Sequence, residues 1–263
     1  MNVTPHSMEQ EIWKNSIIHN LDGRVKLLLT FMIVIYSVYT TDFKVLFLLE
    51  IYLIIILLFS KVSISYFIKR VLMILPFGGF IAIFQPFIKE GLILYTFPFG
   101  LAISYEGTIF GLLLLSRLIV CLSAIVLLSS VSSLDSIVNS MRKLGFPKIM
   151  AMILNMTVRY LFVFFDELEN ITKAQKSRCF SIRNKKTSYS WKLKQIAYTI
   201  MMLFLNSFEK GESVYYSMLA RAYSGEAIDY NKESSLMKID YGIIAITLIV
   251  IISVEISRLN MFI

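Results

Sequence analysis

The chain has 263 residues, of which 57% are hydrophobic and only 17% charged, with a net charge of +8. A soluble globular domain carries nearer a quarter charged residues, and the mean hydropathy of +0.70 points the same way. Composition therefore excludes an ordinary soluble enzyme and favours a chain that uses the bilayer as its solvent.

Met1 to Asn20 is polar and carries no cleavable signal pattern, so the first apolar run, from about Val25 to Tyr39, is expected to be a retained span. Four further spans are predicted, over about Val45–Phe59, Val71–Ile88, Gly107–Ser130 and Tyr241–Ile256. The third is interrupted by Pro76, Gly78-Gly79 and Pro86, which membrane helices tolerate when neighbours satisfy the freed backbone groups. Glu50 lies inside the second span and Arg117 inside the fourth.

Basic residues set the orientation. Lys14, Arg24 and Lys26 precede the first span, and Lys61, Lys69 and Arg70 lie between the second and third. Those segments belong in the cytoplasm, and the fourth span returns the chain there. The expected organisation is a cytoplasmic segment over 1–24, a four-span region over 25–130, a cytoplasmic helical block over 131–239, and a last span with a short tail over 240–263. The fold class is an all-α polytopic membrane protein with about five transmembrane helices and a block of amphipathic helices.

Residues 131–239 hold 16 of the 26 Lys and Arg and 9 of the 18 Asp and Glu, and so nearly all of the net charge. Ile149 to Phe165 is apolar enough to imitate a sixth span. Asn155, Thr157 and Arg159 interrupt it, however, and a crossing there would put Arg142, Lys143 and Lys148 on the opposite side from Lys173 to Lys186. It is read as an amphipathic helix lying against the membrane or the other helices. Ser132-Ser133-Leu134-Asp135 resembles a capping box. Gly145 suits a helix end, and Pro147 suits the first turn of the next helix. A polar loop is expected over Arg183–Ser190, then a helix from about Trp191 to Ala222 broken near Gly211.

Two stretches of this block align at an offset of 43 residues. Asp166, Glu169 and Arg178 in the first match Glu209, Glu212 and Arg221 in the second. Each arginine sits among small residues, Ser177 and Cys179 or Ala220 and Ala222, and is followed by an aromatic and a serine. Small neighbours let a guanidinium reach into a groove, and its planar, always-charged fork suits a buried carboxylate. Two such points in tandem suit a partner with two similar halves.

The repeat also carries a resemblance that covers nearly the whole chain. Leu21-Asp22-Gly23-Arg24-Val25-Lys26-Leu27, Leu144-Gly145-Phe146-Pro147, Arg159-Tyr160-Leu161-Phe162 and Val214 to Gly225 resemble stretches of the CbiQ/EcfT family. That family is the transmembrane T component of energy-coupling factor transporters. Gly23 stands where the family has proline. The resemblance implies two Ala-Arg-Gly-type motifs ending the cytoplasmic coupling helices, each docking on one of two ABC-type ATPase subunits. Carried over, they are Ser177-Arg178-Cys179 and Ala220-Arg221-Ala222, neither with its final glycine.

The resemblance further implies a cell-membrane location and a substrate-binding membrane partner, the S component, which would be CbiM-like if the cargo is cobalt. The cargo expectation leans to cobalt or nickel, with a T component shared among vitamin S components as the alternative. No cofactor is expected on this chain; ATP and magnesium belong to the partner ATPases, and no Walker-type loop occurs here. Arg117 is read as a structural tie within the bundle, with contact to Glu50 or to the S component as the other reading. His6, His19, Cys121 and Cys179 form no metal-ligand spacing, so no metal site is expected. Met150, Met152, Met156 and Met201-Met202 read as adaptable packing. Nucleic acid is not an expected partner, because topology already explains the basic charge. A secondary transporter would need inverted repeats among its spans, and a membrane enzyme a cluster of His, Asp or Ser at the water interface; neither pattern is seen.

Overall fold

The computed structural model describes residues 16, 18–19, 21–89, 91–96, 102–180, 187–223 and 238–259. His6, residues 183–186 of the expected loop, and Ser224-Gly225 lie outside the described residues. The described helices are α1 (Gly23–Tyr39), α2 (Phe43–Ser60), α3 (Ile64–Ile88), α4 (Tyr105–Val131), α5 (Leu134–Lys143), α6 (Lys148–Ser177), α7 (Tyr189–Ala220) and α8 (Lys238–Leu259). One small antiparallel hairpin, β1 (Ile93–Thr96) and β2 (Ala102–Ser104), joins α3 to α4. It pairs Ile93 with Ser104 and Thr96 with Ala102, within what the sequence suggests is only a connecting loop. Apart from it, the described residues form only helices and their connections.

The chain divides into two compact units, one of residues 1–144 with 232–263 and one of residues 145–231. In the first, α4 is the central helix and packs against α1, α2 and α3, while α5 and α8 pack on α1. The spacing of apolar residues explains this. Val25, Leu29, Ile33 and Ser37 form one buried stripe on α1, and Val45, Leu46, Leu49, Leu53 and Leu57 form another on α2. Ile33, Leu46, Leu49, Leu113, Val120 and Ala124 meet in one core cluster. The opposite faces are also apolar: Ile35 on α1 is 65% exposed and Phe47 on α2 68%. A helix that is apolar all round needs hydrocarbon outside it.

Four described helices are long and apolar enough to cross a membrane, namely α2, α3, α4 and α6. α1 has 17 residues, and the apolar stretch of α8, Ile239–Ser253, is shorter still. Length and hydropathy thus admit α6. The reading of 149–165 as an amphipathic helix rests instead on Asn155, Thr157 and Arg159 within it and on the placement of basic residues around it.

Two expected interruptions are absent. α3 runs unbroken through Pro76 and Pro86, and α7 through Gly211. Proline removes one backbone donor and glycine costs only about 1 kcal/mol in a helix interior. Flanking turns of a long helix absorb either. α5 is capped by Ser133, whose Oγ accepts from the Ser136 amide at 3.3 Å, one residue later than a box from Ser132 to Asp135 requires. Gly145, at φ +102°, ends α5 as expected, and Pro147 is the N-cap of α6.

The Leu21-to-Leu27 motif ties the first unit together. Asp22 caps α1 by accepting from the Arg24 amide at 3.0 Å. The Asp22 amide donates to Asp240 Oδ1 at the start of α8, 3.1 Å away. Lys26 Nζ donates to the His19 carbonyl at 2.8 Å and reaches the Val131 carbonyl at the end of α4. Gly23 lies against α5: a Cβ there would stand 2.1 Å from Ser140 Oγ.

Candidate coupling site

The second unit is a helical hairpin. Asn206 Nδ2 donates to Glu167 Oε1 at 2.8 Å, and Gln175 Nε2 donates to Thr199 Oγ1. Phe180 meets Trp191 edge-on with ring centroids 5.4 Å apart, and the Tyr223 hydroxyl contacts Met152 Sδ at 3.5 Å. Along these pairs one residue number rises as the other falls, so α6 and α7 are antiparallel. The aromatic that follows each helix rests near the start of the other.

Each helix ends in the same way. Arg178 caps α6 at φ −86°, ψ 19°, and Arg221 caps α7 at φ −92°, ψ 15°. Cys179 and Ala222 follow in the left-handed region, both at φ +60°. The Phe180 amide donates to the Gln175 carbonyl at 3.0 Å, and the Tyr223 amide to the Met218 carbonyl at 3.1 Å. The Cys179 amide donates to Lys176 at 3.0 Å, and the Ala222 amide to Leu219 at 2.9 Å. This is a Schellman ending, made twice at the 43-residue offset found in the sequence.

The expected glycine therefore falls at the position whose backbone favours glycine most. Cys179 and Ala222 adopt it anyway, at a cost of roughly 1–2 kcal/mol for an L side chain. The paired 6→1 and 5→2 bonds offset that cost. Cys179→Gly and Ala222→Gly are each expected to stabilise their helix ends by about 1 kcal/mol, and Ala222→Val to destabilise. Amide hydrogen exchange at Phe180 and Tyr223 measures this; slower exchange in Ala222→Val than in wild type would refute it.

Ser177, Arg178, Cys179, Ala220, Arg221 and Ala222 are all exposed. Met152 lies beside Tyr223, and from Met152 to Arg178 a helix rises about 40 Å at roughly 1.5 Å per residue. The two arginines thus stand near opposite ends of the hairpin, too far apart for one small socket. Between the helices runs an apolar groove containing Met152, Met156 and Met218; Met150, Met201 and Met202 are exposed elsewhere on α6 and α7. Glu169 pairs with Lys173 at 2.9 Å in an open i,i+4 contact, which contributes little.

The intramembrane charges do not meet. Arg117 Nε and Nη2 both donate to the Thr40 carbonyl, at 2.9 and 2.6 Å, closing the end of α1. A guanidinium there also complements the negative end of the helix dipole. Glu50 instead accepts from Ser123 Oγ at 2.8 Å. Glu255, a third ionisable residue in an apolar run, accepts from the Tyr36 hydroxyl at 2.7 Å and links α8 to α1. A lone acid near the end of an apolar run was its only sequence signal.

The family model described as CbiQ, cobalt transport protein, matches residues 14–231. An uncharacterised protein of Methanocaldococcus jannaschii is 26% identical, over 85% of this chain and 77% of its own length. The energy-coupling factor transporter transmembrane protein EcfT of Thermosediminibacter oceani is 26% identical, over 82% of this chain and 83% of its own. The protein of the same name from Ruminiclostridium cellulolyticum is 26% identical, over 89% and 90%. With a family match across both helical units and both arginine endings, the chain belongs to the CbiQ cobalt transport protein family.

Proposed function

We propose that this chain is the transmembrane coupling component of an ATP-driven importer of the energy-coupling factor type. The twofold repetition of the arginine ending carries this reading. Two identical backbone endings at opposite ends of one hairpin suit two similar ATPase subunits, homo- or heterodimeric, that move relative to each other. Arg178 and Arg221 enter one socket on each, and the hairpin carries their motion to a substrate-binding membrane partner. ATP and magnesium are held by the ATPases, and this chain is not an enzyme.

The N-terminal segment and the hairpin face the cytoplasm, which the positive-inside distribution supports. Cobalt or nickel ions are the proposed cargo, supported by the family description. The relatives called EcfT favour, as a second reading, a component shared among several substrate-binding proteins.

Affinity purification of the tagged chain from its native membranes in mild detergent tests the proposal. Two ATP-binding subunits and a further hydrophobic membrane protein are expected. Uptake of radioactive cobalt or nickel by cells carrying that complex separates the two cargo readings. A chain that purifies alone and drives uptake in ATP-free liposomes would be a secondary transporter, and the proposal would fall.

A further inference from the structure

The chain enters the second unit after Leu144 and leaves it before Lys232. Both connections start from elements that meet at the beginning of α1. On the first, α5 ends at Lys143 and packs on α1. A Cβ on Gly23 would collide there with Ser140 Oγ, and Ser140 is 4% exposed. Lys26 Nζ reaches the Val131 carbonyl at 3.5 Å, just before the Ser133 cap of α5. On the second connection, Asp240 lies in the first turn of α8 and accepts the Asp22 amide at 3.1 Å. Asp240 is 2% exposed, and its charge and that of Asp22 both act on the Lys26 ammonium.

These links differ in kind from the packing around them. Apolar contact is non-directional, so helices held by it alone can slide past one another. A buried acid and an ammonium that are hydrogen-bonded to backbone hold one geometry, because displacement leaves a desolvated polar group without a partner. Gly23 adds a steric seat: with no side chain there, Ser140 rests against the α1 backbone. A displacement arriving by either connection therefore meets the same stiff point, and α1 passes it to α4, on which it packs.

We propose that residues 22–26 are the joint at which movement of the coupling hairpin enters the first helical unit. Asp22 and Lys26 hold α8 and the end of α4 to the start of α1, and Gly23 seats α5. They are positioning residues: they touch neither ATPase nor cargo, and act through the helices they hold together. The inference rests on the importer reading above.

The test is amide hydrogen exchange, which reports local opening, on the complex purified through a tag on this chain, with and without a non-hydrolysable ATP analogue. In wild type the nucleotide should change exchange in α6 and α7 and also in α1, α4 and α8. Lys26→Met and Asp240→Ala should keep the ATPases and the response of α6 and α7. They should shrink the response of α1, α4 and α8 by about fivefold or more, the low end of coupling between distant sites. Lys26→Arg and Asp240→Asn, which keep a donor and an acceptor, should retain most of it. Variants whose two units both respond as in wild type, or whose responses fade together, overturn the inference. So does a wild-type complex in which α1, α4 and α8 do not respond. Should the Met and Ala variants lose their ATPases, Gly23→Ala decides. It keeps the polar links and disturbs only the seat of α5, and an unchanged response in α1, α4 and α8 overturns the inference. All these failures leave the importer reading standing. A wild-type preparation without ATPases refutes that reading, and this inference with it.

Discussion

Alanine in place of both Arg178 and Arg221 is expected to strip the ATPases from the complex and abolish uptake, while the chain itself still folds. Both side chains are exposed. The Schellman bonds around them are made by backbone atoms alone, so truncation leaves each helix ending intact. What is lost is the charge and the planar fork. Removing one partner of a buried, hydrogen-bonded charge pair at an interface costs about 2–5 kcal/mol, or roughly a 30-fold to several-thousand-fold loss of affinity. Each single variant should show a loss of that order. The two motifs lie far apart and share no contacts, so their effects should add. Lysine should rescue poorly, because it keeps the charge but not the fork. Copurified ATPase per mole of chain, with uptake in the same cells, measures all four variants. A double variant that retains its ATPases and transports normally would refute the docking role.

The sequence made the helices legible because their signals are local. Long apolar runs and Gly145 after α5 are signals that act within the helix or a turn beyond it. The repeat was legible for the same reason, down to the residue that leaves the helix. What could not be read was how a position without glycine would behave. That depends on whether neighbouring backbone bonds hold an alanine or a cysteine at φ +60°, and here they do. The expected break at Gly211 failed because one flexible residue costs only about 1 kcal/mol in a helix of 32 residues, and that at Pro76 because membrane helices tolerate proline where neighbouring groups satisfy the freed backbone. The partners of Arg117, Glu50 and Glu255 were illegible because they are set by helix rotation. Arg117 turns toward the end of α1 and Ser123 toward α2, so the two charges stay apart. The Tyr36–Glu255 bond joins residues 219 apart in sequence, a separation no local pattern encodes.

The packing of α3 on α4 leads to the other large effect. Gly107 and Gly111 lie one turn apart on α4, the small-xxx-small spacing that lets membrane helices approach backbone to backbone. A Cβ on Gly111 would stand 2.6 Å from the Ala82 carbonyl oxygen, and one on Gly107 2.8 Å from that of Gln85. Neither carbonyl can rotate away, so Gly111→Ala must push α3 from α4. Overpacking of this kind costs about 1–3 kcal/mol, and Gly107→Ala with Gly111→Ala should cost more than either alone. Gly78 offers the contrast. Its added Cβ would come within 1.9 Å of Leu118 Cδ1, a nominally worse clash, yet the obstacle is the far end of a flexible side chain that a rotamer change removes. Gly78→Ala should therefore be milder than Gly111→Ala. Gly211, with nothing within 4 Å of its Cβ position, should become more stable as alanine by about 0.5–1 kcal/mol. Thermal unfolding of the four single variants in one detergent ranks them. If Gly78→Ala proves worse than Gly111→Ala, the carbonyl contacts do not set the spacing of the two helices.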